Sequence, residues 1–320
     1  MCCYNKPRKI KTLWPINASN NMAETTPVET IQWRGVKVWV KREDLNHPIV
    51  QGNKQHKLKH NLIAAKQQGA DTLVTFGGAY SNHLVATAYV AQQAGLKSLG
   101  VVRGDELKYC QERWSPTLKH CHQFGMQLEF VNRADYRKKQ QSGTVQQLLH
   151  GLDSPFIIPE GGSNVAAVHG VAEWMMTIKA QLNQAPSHVI CPVGTGGTLA
   201  GVVAGCFRNQ WACQVIGVAV LKGLQSVKQD INQWLSAYNQ DLKIPDWQIN
   251  QVFHGGGYAK LTPDMVAFGQ QFKASHHMPL DKIYNVKSFY ALDMLIQQGV
   301  VKPHDRPLII HTGGLQGGIV

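Results

Sequence analysis

The chain has 320 residues, 43% hydrophobic and 16% charged, which suffices for one large domain or two smaller ones with a sizeable core and excludes a disordered protein. Its 32 Lys and Arg against 20 Asp and Glu leave a formal charge of +12. The basic residues are scattered apart from "KPRKIK" (6–11), with no RNA-binding aromatic signature or Cys/His finger, so a weak attraction for anions is expected rather than a nucleic-acid partner.

No apolar run approaches the roughly 18 residues that cross a bilayer, so no membrane partner is expected. The seven cysteines are odd in number and irregularly spaced, and no secretory-type apolar region stands near the start, which together favour a reducing cytoplasm. Cys110 and the "HCH" at 120–122 match no zinc spacing, and no metal is expected.

Residues 1–30 show no sustained period and read as irregular. In "VKVWVKRED" (36–44) Val36, Val38 and Val40 alternate with Lys37, Trp39 and Lys41, a strand pattern. Asn53 then suits a helix N-cap, with Leu58, Leu62 and Ala65 on one face and Gly69 as the stop. From "DTLVTF" (71–76) strand-like and helix-like stretches alternate: a helix over 83–95, a strand over 96–102, helix-to-strand again over 121–132, and a strand ending in the glycine loop of "SPFIIPEGGSN" (154–164). "SHVICPVGTGGTLAGVVAG" (187–205) reads as buried strand, glycine loop and helix. Such alternation predicts βαβ units and an α/β fold whose ligands bind beyond the carboxyl ends of parallel strands.

Four glycine loops follow strand signals. In "PVGTGGTLAG" (192–201) Gly194, Gly196 and Gly197 permit close backbone approach, and the loop opens into a helix whose unpaired N–H groups favour an anion. Leu199 stands where a dinucleotide fingerprint needs glycine, and no Gly-Lys-Ser/Thr follows, so a smaller phosphate ligand is expected, with Thr195 and Thr198 as donors. "FGGAYSNH" (76–83) puts Ser81 and Asn82 at a helix start, a seat for a carboxylate or else a plain cap. "HTGG" (311–314) places Thr312 at the ligand edge of a sheet, and "GGGYAK" (255–260) offers Tyr258 on a loop.

A lysine forms an imine with an aldehyde only when its amine sheds a proton, which requires a pKa lowered from about 10.4 by burial or nearby positive charge. Lys54 sits in the first turn of its helix, where the dipole disfavours an ammonium. Lys57, one turn on, would depress it further as a cation, and Lys59 points elsewhere into solvent.

"KREDLNHPIVQGNKQHKLKHNL", "GGAYSNH", "IPEGGSN", "VGTGGTLAG", "GGYAK" and "HTGG" occur in the order seen in the pyridoxal-phosphate enzymes grouped as 1-aminocyclopropane-1-carboxylate deaminases and D-cysteine desulfhydrases, and the chain resembles them from about residue 27 to the end. The resemblance implies the fold of tryptophan synthase β, fold type II: two domains with open twisted parallel sheets, a large cofactor-binding domain (1–64 and 171–320) and a small closing domain (65–170). It implies that Lys54 bonds covalently to pyridoxal 5'-phosphate, with Lys57 as the second lysine of that helix. Asn82 would bond the cofactor's phenolic oxygen. Ser81, Asn82 and His83 would take the substrate, Ser81 also as a proton carrier, and Thr195, Gly196, Gly197 and Thr198 would wrap the phosphate. Tyr258 and Tyr284 would line the site as acid/base groups, and Thr312 would face the pyridine nitrogen. Relatives of this kind are commonly homodimers, so a homodimer is expected.

Ring-opening members carry Glu after the tyrosine of a "DPVYEGKS"-like segment; here "LDKIYNVKS" has Asn285. The second loop reads Ser81-Asn82-His83 as in D-cysteine enzymes, where ring-opening members have Gln third. Neutral Thr312 and Asn285 would leave the pyridine a weaker electron sink, suited to elimination of a good leaving group. D-cysteine desulfhydration to pyruvate, ammonia and sulfide is therefore the expected activity. Cyclopropane deamination to 2-oxobutanoate is the alternative within enzymes, and an amino-acid-sensing module the alternative outside them. His56 replaces the family's usual Arg, which leaves open how Lys54 is supported.

Overall fold

The computed structural model describes residues 25–240 and 245–320. The basic cluster 6–11, Cys2 and Cys3 lie outside the described residues. The chain starts with β1 (Val28–Trp33), β2 (Val36–Arg42) and α1 (Lys54–Gln67). There follow β3 (Thr72–Gly78), α2 (Asn82–Gln93), β4 (Lys97–Arg103), α3 (Pro116–Gln123), β5 (Met126–Val131), α4 (Arg133–Lys138), α5 (Gly143–His150) and β6 (Pro155–Ile158). The rest is α6 (Val165–Lys179), β7 (His188–Val193), α7 (Gly197–Arg208), β8 (Gln214–Ala219), α8 (Gln225–Tyr238), β9 (Trp247–Asn250), α9 (Pro263–His276), α10 (Asn285–Gln297) and β10 (Pro307–His311).

Two sheets form. The larger has the order β1-β2-β10-β7-β8-β9 and the smaller β5-β4-β3-β6. All neighbouring strands run parallel except β1, which pairs antiparallel with β2 in the register Val28↔Lys41 to Trp33↔Val36. The expected α/β class with parallel sheets is what the chain adopts. The irregular reading of 1–30 fails at its end, because Val28–Thr30 open β1. This edge strand gains its stability from pairing across a turn at Arg34 and Gly35, both at positive φ, rather than from its own mixed composition.

Parallel strands covered on both faces need apolar runs, and β3, β7 and β10 are buried along almost their whole length. Each large aliphatic side chain so buried stabilises the fold by about 1.5–3 kcal/mol. α7 is buried over Gly197–Cys206 and lies against α6. Gly201 and Gly205, four apart on one face, make that contact close: a Cβ on either would come within 2.3 or 2.4 Å of the Cβ of Val171 or Met175. The "GVVAG" spacing thus fixes α7, and the glycine loop at its start, against α6.

In the larger sheet β10 returns between β2 and β7, and in the smaller β6 adds on the far side of β3 from β4 and β5. At such reversals of strand order, loops beyond the carboxyl ends diverge and leave a crevice. The loops after β2, β10 and β7 and those after β3 and β6 meet there.

Candidate active site

The crevice is a cavity of about 250 Å³. The larger sheet contributes Lys54, Thr195, Gly196, Thr198, Tyr258, Tyr284 and Thr312 to its lining, and the smaller contributes Ser81, Asn82 and His83. Of the residues singled out from sequence, Gly197 stands behind the lining: a Cβ on it would lie 2.7 Å from Ser163 Oγ.

Lys54 owes its place to Gly52. That glycine has φ +69°, and a Cβ there would fall 1.7 Å from the Thr312 carbonyl oxygen, so only glycine lets the start of α1 press against the end of β10. Asn53 occupies the N-cap position but caps nothing with its side chain. Its Nδ2 donates to Thr198 Oγ1 at 2.7 Å, and its Oδ1 accepts from Lys54 Nζ at 2.9 Å. Burial lowers the Lys54 ammonium to about 8 against the opposing pull of the Asp281 carboxylate. Lys57 is buried and donates to Ser163 Oγ at 2.7 Å. Its own pKa is lowered well below the usual value by burial and by Lys54. The expected direction of influence is therefore reversed: burial, not a cationic Lys57, lowers Lys54. Lys59 pairs with Glu173 at the surface.

Ser163 is the hub that sequence reading passed over, although "IPEGGSN" contains it. Its oxygen accepts from Lys57 Nζ and, at 3.3 Å, from Gly197 N, so its proton goes to Thr195 Oγ1, 2.6 Å away. Among the described residues Thr195 and Thr198 then keep their own protons for another acceptor. These two hydroxyls and the α7 amides after Gly197, at the start of the twelve-residue helix behind left-handed Gly196, could hold an anion.

Ser81 is the N-cap of α2, accepting from Leu84 N at 3.4 Å. Asn82 reaches the opposite sheet: its Nδ2 would lie 3.2 Å from a Cβ on Gly314, and its buried Oδ1 has no partner among the described residues. His83 is buried, with its pKa lowered well below the ordinary value by burial first and then by Lys54 and Lys57. Thr75 spends its proton on the Ile158 carbonyl, so His83 Nε2 is the donor in their 2.8 Å bond, and among the described residues Nδ1 is left an acceptor without a partner.

Tyr258 is 41% exposed, and its loop runs through Gly255, Gly256 and Gly257, all at positive φ. Lys287, fully buried, holds that loop by donating to Gly257 O at 2.7 Å and Val220 O at 3.0 Å. Burial raises the Tyr258 hydroxyl, offset in part by its hydrogen bond with Tyr284, and burial raises Tyr284 well above its ordinary value. Asn285 does not line the cleft; it stands behind Thr312. Its Nδ2 donates to Asp281 Oδ1 and Gly313 O, and its Oδ1 accepts from Thr312 N at 2.9 Å.

His56 answers the question of support around Lys54. Its Nε2 lies 2.7 Å from the buried Glu43 carboxylate, and its ring stacks on Trp174 at 4.6 Å. Burial would raise Glu43, but His56, Thr26 and Lys41 together hold it at about 2.

A lysine of lowered basicity facing an anion-binding helix start, inside two parallel sheets, defines a class: the pyridoxal-phosphate enzymes of fold type II. The cofactor fits on three observations: the neutral-prone Lys54 amine, the two free threonine protons beside α7, and the orphaned Asn82 amide oxygen. The chain belongs to the pyridoxal-phosphate dependent enzyme family, whose model matches residues 22–313. It is 29% identical to a putative 1-aminocyclopropane-1-carboxylate deaminase of Thermotoga maritima, covering 88% of this chain and 90% of that one. It is 26% identical to the bifunctional D-cysteine desulfhydrase/1-aminocyclopropane-1-carboxylate deaminase of Arabidopsis thaliana (98% and 82% covered) and 26% identical to D-cysteine desulfhydrase of Serratia proteamaculans (92% of each). Among solved structures, an ACC deaminase homologue superposes with a TM-score of 0.78 at 25% identity, over 93% of this chain and 94% of that one. The protein is a pyridoxal-phosphate-dependent enzyme, as its motifs imply.

Proposed function

We propose that the enzyme is a lyase acting on a small amino acid, with D-cysteine desulfhydration to pyruvate, ammonia and sulfide as its reaction. The observation that carries this reading is the Lys54 amine, lowered to about 8 and half-buried in a cleft flanked by two helix starts. Near neutral pH such an amine would hold an aldehyde cofactor and, when free, could accept the substrate's α-proton. The bound cofactor supplies an electron sink for the pair left on Cα.

The protein's own residues do the rest. Thr195, Thr198 and the α7 amides would hold the phosphate, with Gly196 and Gly197 leaving room for it. The Asn82 amide nitrogen would donate to the cofactor's phenolic oxygen. Ser81, Asn82, His83 and the start of α2 seat the substrate carboxylate, with Ser81 near enough to that helix start to pass a proton. The neutral His83 adds no charge there. Tyr284 and Tyr258 stay protonated to high pH and serve as acids toward the leaving group. Thr312, backed by uncharged Asn285, would stand toward the cofactor's pyridine nitrogen. Residues 65–170 form the closing lobe; its limits fall within α1 and α6, helices that join both sheets. A homodimer in a reducing cytoplasm completes the reading, consistent with the free cysteines at 110, 121, 191, 206 and 213.

The test is sulfide and pyruvate release from each cysteine enantiomer by wild type and Lys54→Ala. Turnover of D-cysteine that vanishes in the variant supports the proposal, and its absence in a pigmented wild type refutes it. The names of the Thermotoga and Arabidopsis relatives favour a second reading, cyclopropane deamination. Release of 2-oxobutanoate from that substrate would establish it.

A further inference from the structure

β4 ends at Arg103, and its parallel pairing with β3 sets that residue opposite Gly78, where the loop to Ser81 departs. A Cβ on Gly78 would stand 3.5 Å from Arg103 Nη2, so the missing side chain leaves the guanidinium space across the strand end. Arg103 lines the cleft. Among the described residues its guanidinium has no ion pair or hydrogen bond, and its ring neighbour is Tyr136, 5.8 Å from Cζ. The carboxylate on the same wall is already committed: Glu160 accepts from Tyr136 Oη at 2.6 Å and from Lys139 Nζ at 2.9 Å. Across the opening, the Arg103 charge reaches the Tyr258 hydroxyl, so it acts on the space between the two sheets.

An exposed arginine facing only water needs no explanation. This one stands at the ligand edge of a parallel sheet, one strand from the start of α2, with the local carboxylate paired to another cation. On the reading proposed above, the α2 start takes the α-carboxylate and Lys54 gives way to the amino group, which leaves Arg103 without a counterpart on a simple neutral side chain. We infer that Arg103 is a specificity residue: besides D-cysteine the site takes amino acids that carry a second oxyanion, a carboxylate or sulfonate, at the end of the side chain in preference to their neutral isosteres, and the planar guanidinium pairs with that group. Arginine's fork matches such oxyanions with two parallel hydrogen bonds, which a lysine cannot reproduce.

The test uses cofactor-loaded enzyme titrated with aspartate and asparagine, each as both enantiomers, following the visible spectrum. The two are isosteric, differ in charge and lack a good leaving group, so the titration reads binding alone. One enantiomer of aspartate should bind at least about tenfold tighter than the matching asparagine, as a charge-assisted hydrogen bond provides. Arg103→Gln should bring the ratio to about one, with Arg103→Lys between. Raising salt to about 1 M should shrink the ratio in wild type, because the pair is exposed. A wild-type ratio near one, or a ratio that survives Arg103→Gln, overturns the inference alone, provided alanine still perturbs the spectrum. A pigmented enzyme that responds to no amino acid, alanine included, overturns the proposed function and this inference with it.

Discussion

Asn285 donates from Nδ2 to Asp281 Oδ1 across 2.6 Å, and so couples a fully buried carboxylate to the cleft residue Thr312, whose backbone N–H its oxygen accepts. Asp281 in turn accepts from the backbone N–H groups of Ile283, Tyr284 and Asn285. Every donor and acceptor of the Asn285 amide has a fixed complement, so neither a flipped amide nor an acid fits there. Asn285→Asp would set two carboxyl groups against each other and against the Gly313 carbonyl. We expect a loss of about 3 kcal/mol or more at pH 8. The shared site would retain a proton more readily in the fold than in the unfolded chain, so the deficit should shrink as pH falls to 5. Urea unfolding midpoints at the two pH values check both size and sign.

Lys54 has its folded pKa lowered from 10.5 to about 8. Only the free amine attacks an aldehyde, so capture of pyridoxal phosphate by the cofactor-free protein should accelerate about tenfold per pH unit below 8 and level off above it. Stopped-flow growth of the visible band measures this, and Lys54→Ala should develop none. A flat profile from pH 6 to 9 would contradict the burial argument.

Gly52→Ala tests how the site is held. Its Cβ would strike the Thr312 carbonyl at a positive φ, so either α1 or the loop after β10 must move. Backbone strain of this kind costs about 1–3 kcal/mol, and the displaced Lys54 should cut cofactor affinity by at least about tenfold. Equilibrium dialysis against pyridoxal phosphate reads the affinity, and thermal unfolding shows that the chain still folds.

Glu43 governs acid behaviour. Its folded pKa of about 2 lies below the ordinary 4.5, so its contribution is complete above pH 4.5 and is lost as pH falls from there toward 2. The shift corresponds to a contribution on the order of 3 kcal/mol. Because Glu43 is buried, His56→Ala should leave a carboxylate short of its main partner and cost about 3 kcal/mol at neutral pH. It should also raise the midpoint of acid unfolding, as followed by circular dichroism.

Much of this protein was legible before any folding. The alternation of valines in β2, the apolar run of β7 and the helix of Leu58, Leu62 and Ala65 follow from periodicity, which is local. The class of ligand followed from glycine loops opening into helices, since a turn that exposes amides needs only a few neighbouring residues. β1 escaped because an edge strand borrows its stability from a partner, and its own residues carry little pattern.

What folding alone decided lies between distant segments. Lys54 and Lys57 are both lysines of one helix, and nothing in "GNKQHK" says which is lowered by what; burial and Asp281, more than 200 residues on, settle it. Ser163 and Asp281 orient the site from behind its lining, at positions that no local signal marks. Arg103 reads in sequence as one more basic residue at a strand end. Charge and hydrogen bonding act through space, so the sequence by itself determined the fold and the chemistry it could hold, and only the tertiary structure decided which proton sits on which atom.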